Sequence, residues 1–158
     1  MDYMFTAVLW IYFVWLIISI AIYVWSGIET HKVLKHLGYK NAWMAWVPYA
    51  NRYAVADVIR GDDDQTEVLG HKVPALLFNF WWLAALVVLL VPTIGYLCYV
   101  AMSIICLGTC YKDIFARCEN KQPEEVSSVA YIAGFLPIIA LIKFTGYKFN
   151  QVVIDEEA

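Results

Sequence analysis

The sequence predicts an all-α integral membrane protein, with four transmembrane helices and an amphipathic or re-entrant helical segment on the cytoplasmic side. Three observations lead there. The 158 residues are 62% hydrophobic and 16% charged, whereas a soluble domain is about 45–50% apolar and about 25% charged. The apolar excess is gathered into four runs, over residues 4–26, 74–91, 94–111 and 123–142, rather than spread as core stripes. Nine of the eleven lysines and arginines lie in two segments between these runs. Residues 1–150 read as a single membrane domain and 151–158 as a polar tail. The net charge of −3 gives no basic footprint, so no nucleic-acid partner is expected.

The first run, Met4–Ser26, carries Trp10, Tyr12, Trp15, Tyr23 and Trp25 along an otherwise aliphatic stretch. It exceeds the ~7–15-residue core of a signal peptide, has no preceding Lys or Arg and lacks an Ala-x-Ala exit, so it is read as a retained span. Tyr23 and Trp25 suit the headgroup boundary, and Gly27 is expected to stop the helix. Between residues 28 and 38, Val33, Leu34 and Leu37 share a helical face opposite Lys32, Lys35 and His36. This predicts an interfacial helix ending at Gly38.

Leu37–Tyr53 follows, with Trp43, Trp46, Pro48, Asn51, Arg52 and Tyr53 crowded together. Ala42–Val47 is too short to span, and Pro48 fits the first turn of a new helix. Asn51, Arg52, Asp57 and Arg60 then alternate with Tyr53, Val55, Val58 and Ile59, as in an amphipathic helix lying on the surface or dipping in. Asn51 is expected to satisfy backbone groups freed at the break. Residues 61–67 are read as a solvated acidic loop; Asp62, Asp64 and Glu67 lack the spacing of a calcium loop.

The second run, 74–91, opens with Pro74, carries Asn79 and is closed by Pro92. The Pro92–Gly95 turn makes an antiparallel helical hairpin with the third run, 94–111. Pro123-Glu124-Glu125 starts the fourth, with acids placed to complement the helix dipole. Within it, Ala130 and Gly134 form a small-residue packing groove and Pro137 introduces a kink. Lys143 snorkels at its end.

Four spans with both termini outside leave residues 27–73 and 112–122 cytoplasmic. Nine of the eleven bases then lie inside, with Lys143 and Lys148 the exceptions. The cysteines Cys98, Cys106, Cys110 and Cys118 form no C-x-x-C pair and read as small apolar side chains in a reducing compartment. No nucleophile–base set, dinucleotide fingerprint, P-loop or metal motif appears, and no cofactor is expected.

Trp43-x-Ala45-x-Val47-Pro48-x-x-Asn51-x-Tyr53 resembles the G-W-x-A-x-I-P-x-Y-N-x-Y signature of a family of small, uncharacterised bacterial multi-pass membrane proteins. The likeness extends to Phe80-Trp81-Trp82, Asp113-Ile114-x-x-Arg117, Phe135-Leu136-Pro137-Ile138 and Gly146-Tyr147. Ala42 and Ala50 depart from the glycine and tyrosine of the signature. The resemblance implies a bacterial membrane protein and brings no catalytic residues with it.

Three functions follow as expectations. The first is a non-enzymatic protein of the bacterial cytoplasmic membrane, whose partners are the lipid bilayer and a second membrane protein or another copy of itself. The second is a small oligomeric channel or transporter with a re-entrant element at Pro48–Asn51, using Asn51, Arg52, Asp57 and Asn79. The third is a metal-dependent lipid enzyme built on His31, His36 and His71. The absence of ionisable groups deep in the spans weighs against proton-coupled transport.

Overall fold

A computed structural model describes residues 2–60, 64–92 and 94–149. The expectations attached to Asp62, Thr93 and the tail 151–158 lie outside the described residues. The protein is mostly helical. Its elements are α1 (Asp2–His36), a 3-10 helix (Ala42–Trp46), α2 (Ala50–Asp57), β1 (Gln65–Val68), β2 (His71–Pro74), α3 (Ala75–Asn79), α4 (Trp81–Val88), α5 (Ile94–Glu119), α6 (Pro123–Phe135) and α7 (Pro137–Gly146). Two helices, Tyr3–His36 and Ile94–Glu119, are long and apolar enough to cross a membrane.

Gly27 does not stop α1, which continues to His36 and absorbs the expected interfacial helix as its last turns. The glycine is there for space: a Cβ would come within 2.8 Å of the Trp46 ring, which packs against α1 at this point. The helix ends at Gly38, with φ +74°. Gly38 N–H donates to Lys35 O at 3.0 Å and Tyr39 N–H to Leu34 O at 2.9 Å, the paired bonds of a Schellman cap.

Pro48 lies in a turn before α2 rather than in its first turn, and Tyr49 takes the N-cap position with φ 64°. The acidic stretch is not all loop. Gln65–Val68 pairs antiparallel with His71–Pro74, with Thr66 opposite Val73 and Glu67 opposite Lys72. Leu69 and Gly70, at φ 50° and 80°, form the two-residue turn between them.

The expected second span is two helices, α3 and α4, separated at Phe80. The separation falls where neighbouring side chains take different partners. Asn79 bonds to Asp57, Phe80 packs on Tyr53 and Trp82 stacks on Tyr49. Pro74 precedes α3 as its N-cap. α4 and α5 pack side by side, burying Trp81, Ala85 and Leu107.

The largest correction concerns the fourth run. Pro137 does more than kink a span: Leu136 leaves the helical region, with φ −117° and ψ 88°, and the chain reverses. α6 runs back along α5 until Gly134 lies against Ile104 and Gly108. α7 then returns, bringing Phe144 to Tyr111 and Phe115, and Lys143 and Tyr147 to Glu119 at the end of α5. Lys143 therefore ion-pairs with Glu119 and sits 4.6 Å above the Phe115 ring, rather than snorkelling from the end of a span.

The main core gathers at the end of the molecule where α1 and α5 finish. Val33, Leu34, Ala54, Ile114, Phe115 and Phe144 are all buried there. His36 stacks on Phe149 at 4.0 Å, so the end of the described chain lies beside the end of α1. The opposite half of α1 is bare: every residue from 3 to 25 is exposed.

Candidate functional site

α2 and α3 bring together polar residues that lie far apart in sequence. Asn79 Nδ2 donates to Asp57 Oδ1 at 2.7 Å, and Tyr39 O–H donates to Asp57 Oδ2 at 3.0 Å. Arg60, one turn beyond Asp57, lies 3.9 Å from Oδ1 and pairs with Asp64 at 2.5 Å. Burial, followed by the bond to Asp57, pushes the Tyr39 phenol well above its ordinary pKa, which keeps it a donor. Asp57 is thus the hub of this end of the molecule. It opens on a cleft of about 400 Å³ whose polar lining includes Tyr39, Lys40, Asn41 and Arg60.

Asn79 is 2% exposed, and its Oδ1 has no hydrogen-bond partner among the described residues. A buried amide oxygen without a donor costs free energy of about 1–3 kcal/mol, so its place beside the hub has a physical cost. Its Nδ2 holds Asp57, while its Oδ1 is buried away from the cleft.

The remaining expected site residues do not converge on this cleft. Arg52 lies 5.6 Å over the Trp81 ring. Tyr53 packs on Phe80, and Tyr49 on Trp82, with ring centroids 5.4 and 5.5 Å apart. The Trp46 carbonyl accepts the Tyr23 hydroxyl, which fixes the 3-10 helix alongside α1. Trp43 is 59% exposed. Asn51 is half-buried, and its side chain makes no hydrogen bond among the described residues. The break at Pro48 is instead closed by backbone bonds, Ala50 N–H to Pro48 O at 2.8 Å and Asn51 N–H to Val47 O at 3.1 Å. Ala130 and Gly134 are buried on the face of α6 toward α5, and Pro137 is exposed at the reversal.

The histidines are separated. His31 Nδ1 bonds to Ala42 O at 3.0 Å, His36 stacks on Phe149, and His71 Nδ1 bonds to Leu69 O at 3.2 Å. Among the described residues no three His, Cys, Asp or Glu side chains are grouped to hold a metal ion.

The chain matches no family model, no curated protein and no solved structure. The functional reading therefore rests on its own residues.

Two groups outside the expected site organise this end. Arg117 Nε pairs with Asp113 at 2.7 Å, while its Nη1 donates to Val58 O at 3.1 Å and caps the last turn of α2. The i, i+4 spacing of Asp113 and Arg117 was visible in the sequence; the capped carbonyl was not. Glu119 accepts Lys121 and Tyr147 at 2.8 Å and pairs with Lys143, tying α7 to α5. Burial and the bond to Glu119 raise the Tyr147 phenol, so this contact keeps its proton.

Proposed function

We propose that the chain is a small non-enzymatic integral protein of a bacterial cytoplasmic membrane, acting through contacts with lipid and with a membrane-protein partner or a second copy. In this reading three elements cross the bilayer: α1, the α3–α4 pair and α5. The α6–α7 hairpin enters from the cytoplasmic side and returns. The bacterial source rests on the resemblance of the Trp43–Tyr53 stretch to the uncharacterised membrane family.

The observation that carries this reading is the distribution of charge along the helices. α7 turns back to Glu119, so Lys143 and Lys148 lie at the same end as the other bases. With three crossings all eleven Lys and Arg fall on one side; with four, only nine do. At about 1.5 Å per residue, Tyr3–Trp25 covers about 35 Å, enough for a ~30 Å hydrocarbon layer. The N-terminus is then outside and residue 149 inside.

Residues 3–25 supply the lipid contact: a helix that is apolar all round and exposed along its whole length is expected where the solvent is hydrocarbon. Alkaline carbonate extraction of membranes from expressing cells tests the claim. The full chain is expected to stay in the pellet; its release into the supernatant contradicts integral insertion.

A further inference from the structure

We propose that residues 4–21 of α1 pair in parallel with the same helix of a second copy of this chain. The inference names the partner that the proposed function left open. It rests on that membrane reading for the parallel orientation, because copies inserted the same way all present α1 in the same direction.

The distribution of side chains around the helix selects the face. Met4, Ala7, Ile11, Val14, Ile18 and Ala21 follow one another at alternating steps of three and four residues. That spacing is the a/d repeat of a left-handed coiled coil, and it keeps the six on one stripe of the helix. Apart from Met4 the stripe holds only small and β-branched side chains, whereas Phe5, Leu9, Tyr12, Phe13 and Leu16 lie off it. Lipid makes no demand on where bulk sits around a helix. A second helix does, because small residues let two backbones approach.

Two tryptophans frame the stripe. Trp10 stands just before Ile11 and Trp15 just after Val14, which are the g and e positions of the repeat. In a parallel pair a g residue faces the e residue five positions further along the other helix. Trp10 and Trp15 are five apart, so each Trp10 meets Trp15 of the second copy, once on either side of the two-fold axis. A groove of about 260 Å³ is lined by these tryptophans with Ile11 and Val14. Ile11 and Val14 of the other helix are the side chains that reach it. The same four residues thus supply the groove and its filling, the self-complementarity that a two-fold interface requires.

The area is sufficient. Trp10 and Trp15 are 63% and 64% exposed. A buried aromatic side chain covers about 150–250 Å², so the four rings of a pair account for about 500 Å². The stripe, about 27 Å long, brings the total to the about 1,000 Å² that a specific interface needs. The chain itself leaves this face open, since every residue from 3 to 25 is exposed. The next repeat position, Trp25, donates its indole N–H to Thr145 Oγ1 at 3.0 Å, so the stripe ends where the packed body begins. Leu16, on the opposite side of the helix, stays toward lipid.

Val14→Cys and Leu16→Cys are made separately in the full chain and oxidised in membranes from expressing cells. The unsubstituted chain gives the background from the four native cysteines, and linked peptides are identified by mass spectrometry. Both positions lie on the exposed half of α1, so neither substitution disturbs the packed body. A 14–14 disulfide is expected, with at least about tenfold less 16–16 product, because side chains on the far faces lie beyond bridging distance. Trp10→Leu combined with Trp15→Leu weakens self-association of the full chain in micelles by about tenfold, read by analytical ultracentrifugation.

Equal linking at 14 and 16 means random collision and overturns the proposal, as does unchanged self-association of the double tryptophan variant. Carbonate extraction of the same membranes separates the two readings. No 14–14 product from a chain that stays in the pellet overturns the pairing and leaves the membrane reading standing. A 14–14 product from a chain that carbonate releases supports the pairing and overturns integral insertion.

Discussion

The two ends of α1 make the most instructive comparison in this molecule. From Gly27 onward the helix is part of a packed body: Val33 and Leu34 are buried, Trp46 lies against Gly27, and His31 holds the 3-10 helix. From residue 3 to residue 25 the same helix touches nothing in the chain that buries it. The bare half is the more hydrophobic of the two. In water that arrangement is inverted, since the hydrophobic effect would bury the greasier half first. The packed end holds the charges and builds a core of small and aromatic residues; the bare end mixes aliphatic and aromatic side chains and carries no charged residue. On the proposed membrane reading, the difference marks two solvents rather than two levels of folding.

This contrast can be broken by substitution. Phe115 is fully buried between Tyr111, Phe144 and Tyr147, so Phe115→Ala should destabilise the purified chain by about 3–5 kcal/mol, read as a loss of thermal or denaturant stability. Gly134→Val comes next. Even a Cβ at this position approaches Gly108 N and Ile104 O to 2.8 Å, backbone that cannot step aside, and a cost of about 1–3 kcal/mol is expected by the same measurement. Glu119→Gln weakens the attachment of α7 by removing the charge that Lys143 and Lys121 face. A loss of about 1–2 kcal/mol is expected by the same measurement. Leu16→Ala, in the bare half, should change stability by less than about 0.5 kcal/mol. A cost at Leu16 comparable to that at Phe115 would mean that residues 3–25 pack against protein after all.

Much of the packed end was legible from residue types. Gly38 ends α1 because its backbone takes a positive φ. Pro123-Glu124-Glu125 opens α6 because proline suits the first turn and acids face the dipole. Asp57 and Asn79 were both singled out, yet their direct bond depends on the break at Phe80, which no proline or glycine announces.

The reversal at Leu136 was hidden for a different reason. Two short apolar helices around a proline give the same hydropathy as one kinked span, and only the return of Lys143 and Tyr147 to Glu119 separates the two. Gly27 misled because a glycine that admits a tryptophan ring has the same letter as one that stops a helix. The β-hairpin was missed because its turn is Leu69-Gly70 rather than the Asn-Gly that such a turn prefers.

The side of the membrane that holds the C-terminal end tests the central claim most directly. Fusions of the full chain to a reporter active only in the cytoplasm, and to one active only outside, are compared at the C-terminus and at the Pro92 turn. Three crossings with a returning hairpin predict cytoplasmic activity at the C-terminus and external activity at Pro92. External activity at the C-terminus would contradict the account, because it requires residues 123–146 to cross as a fourth span.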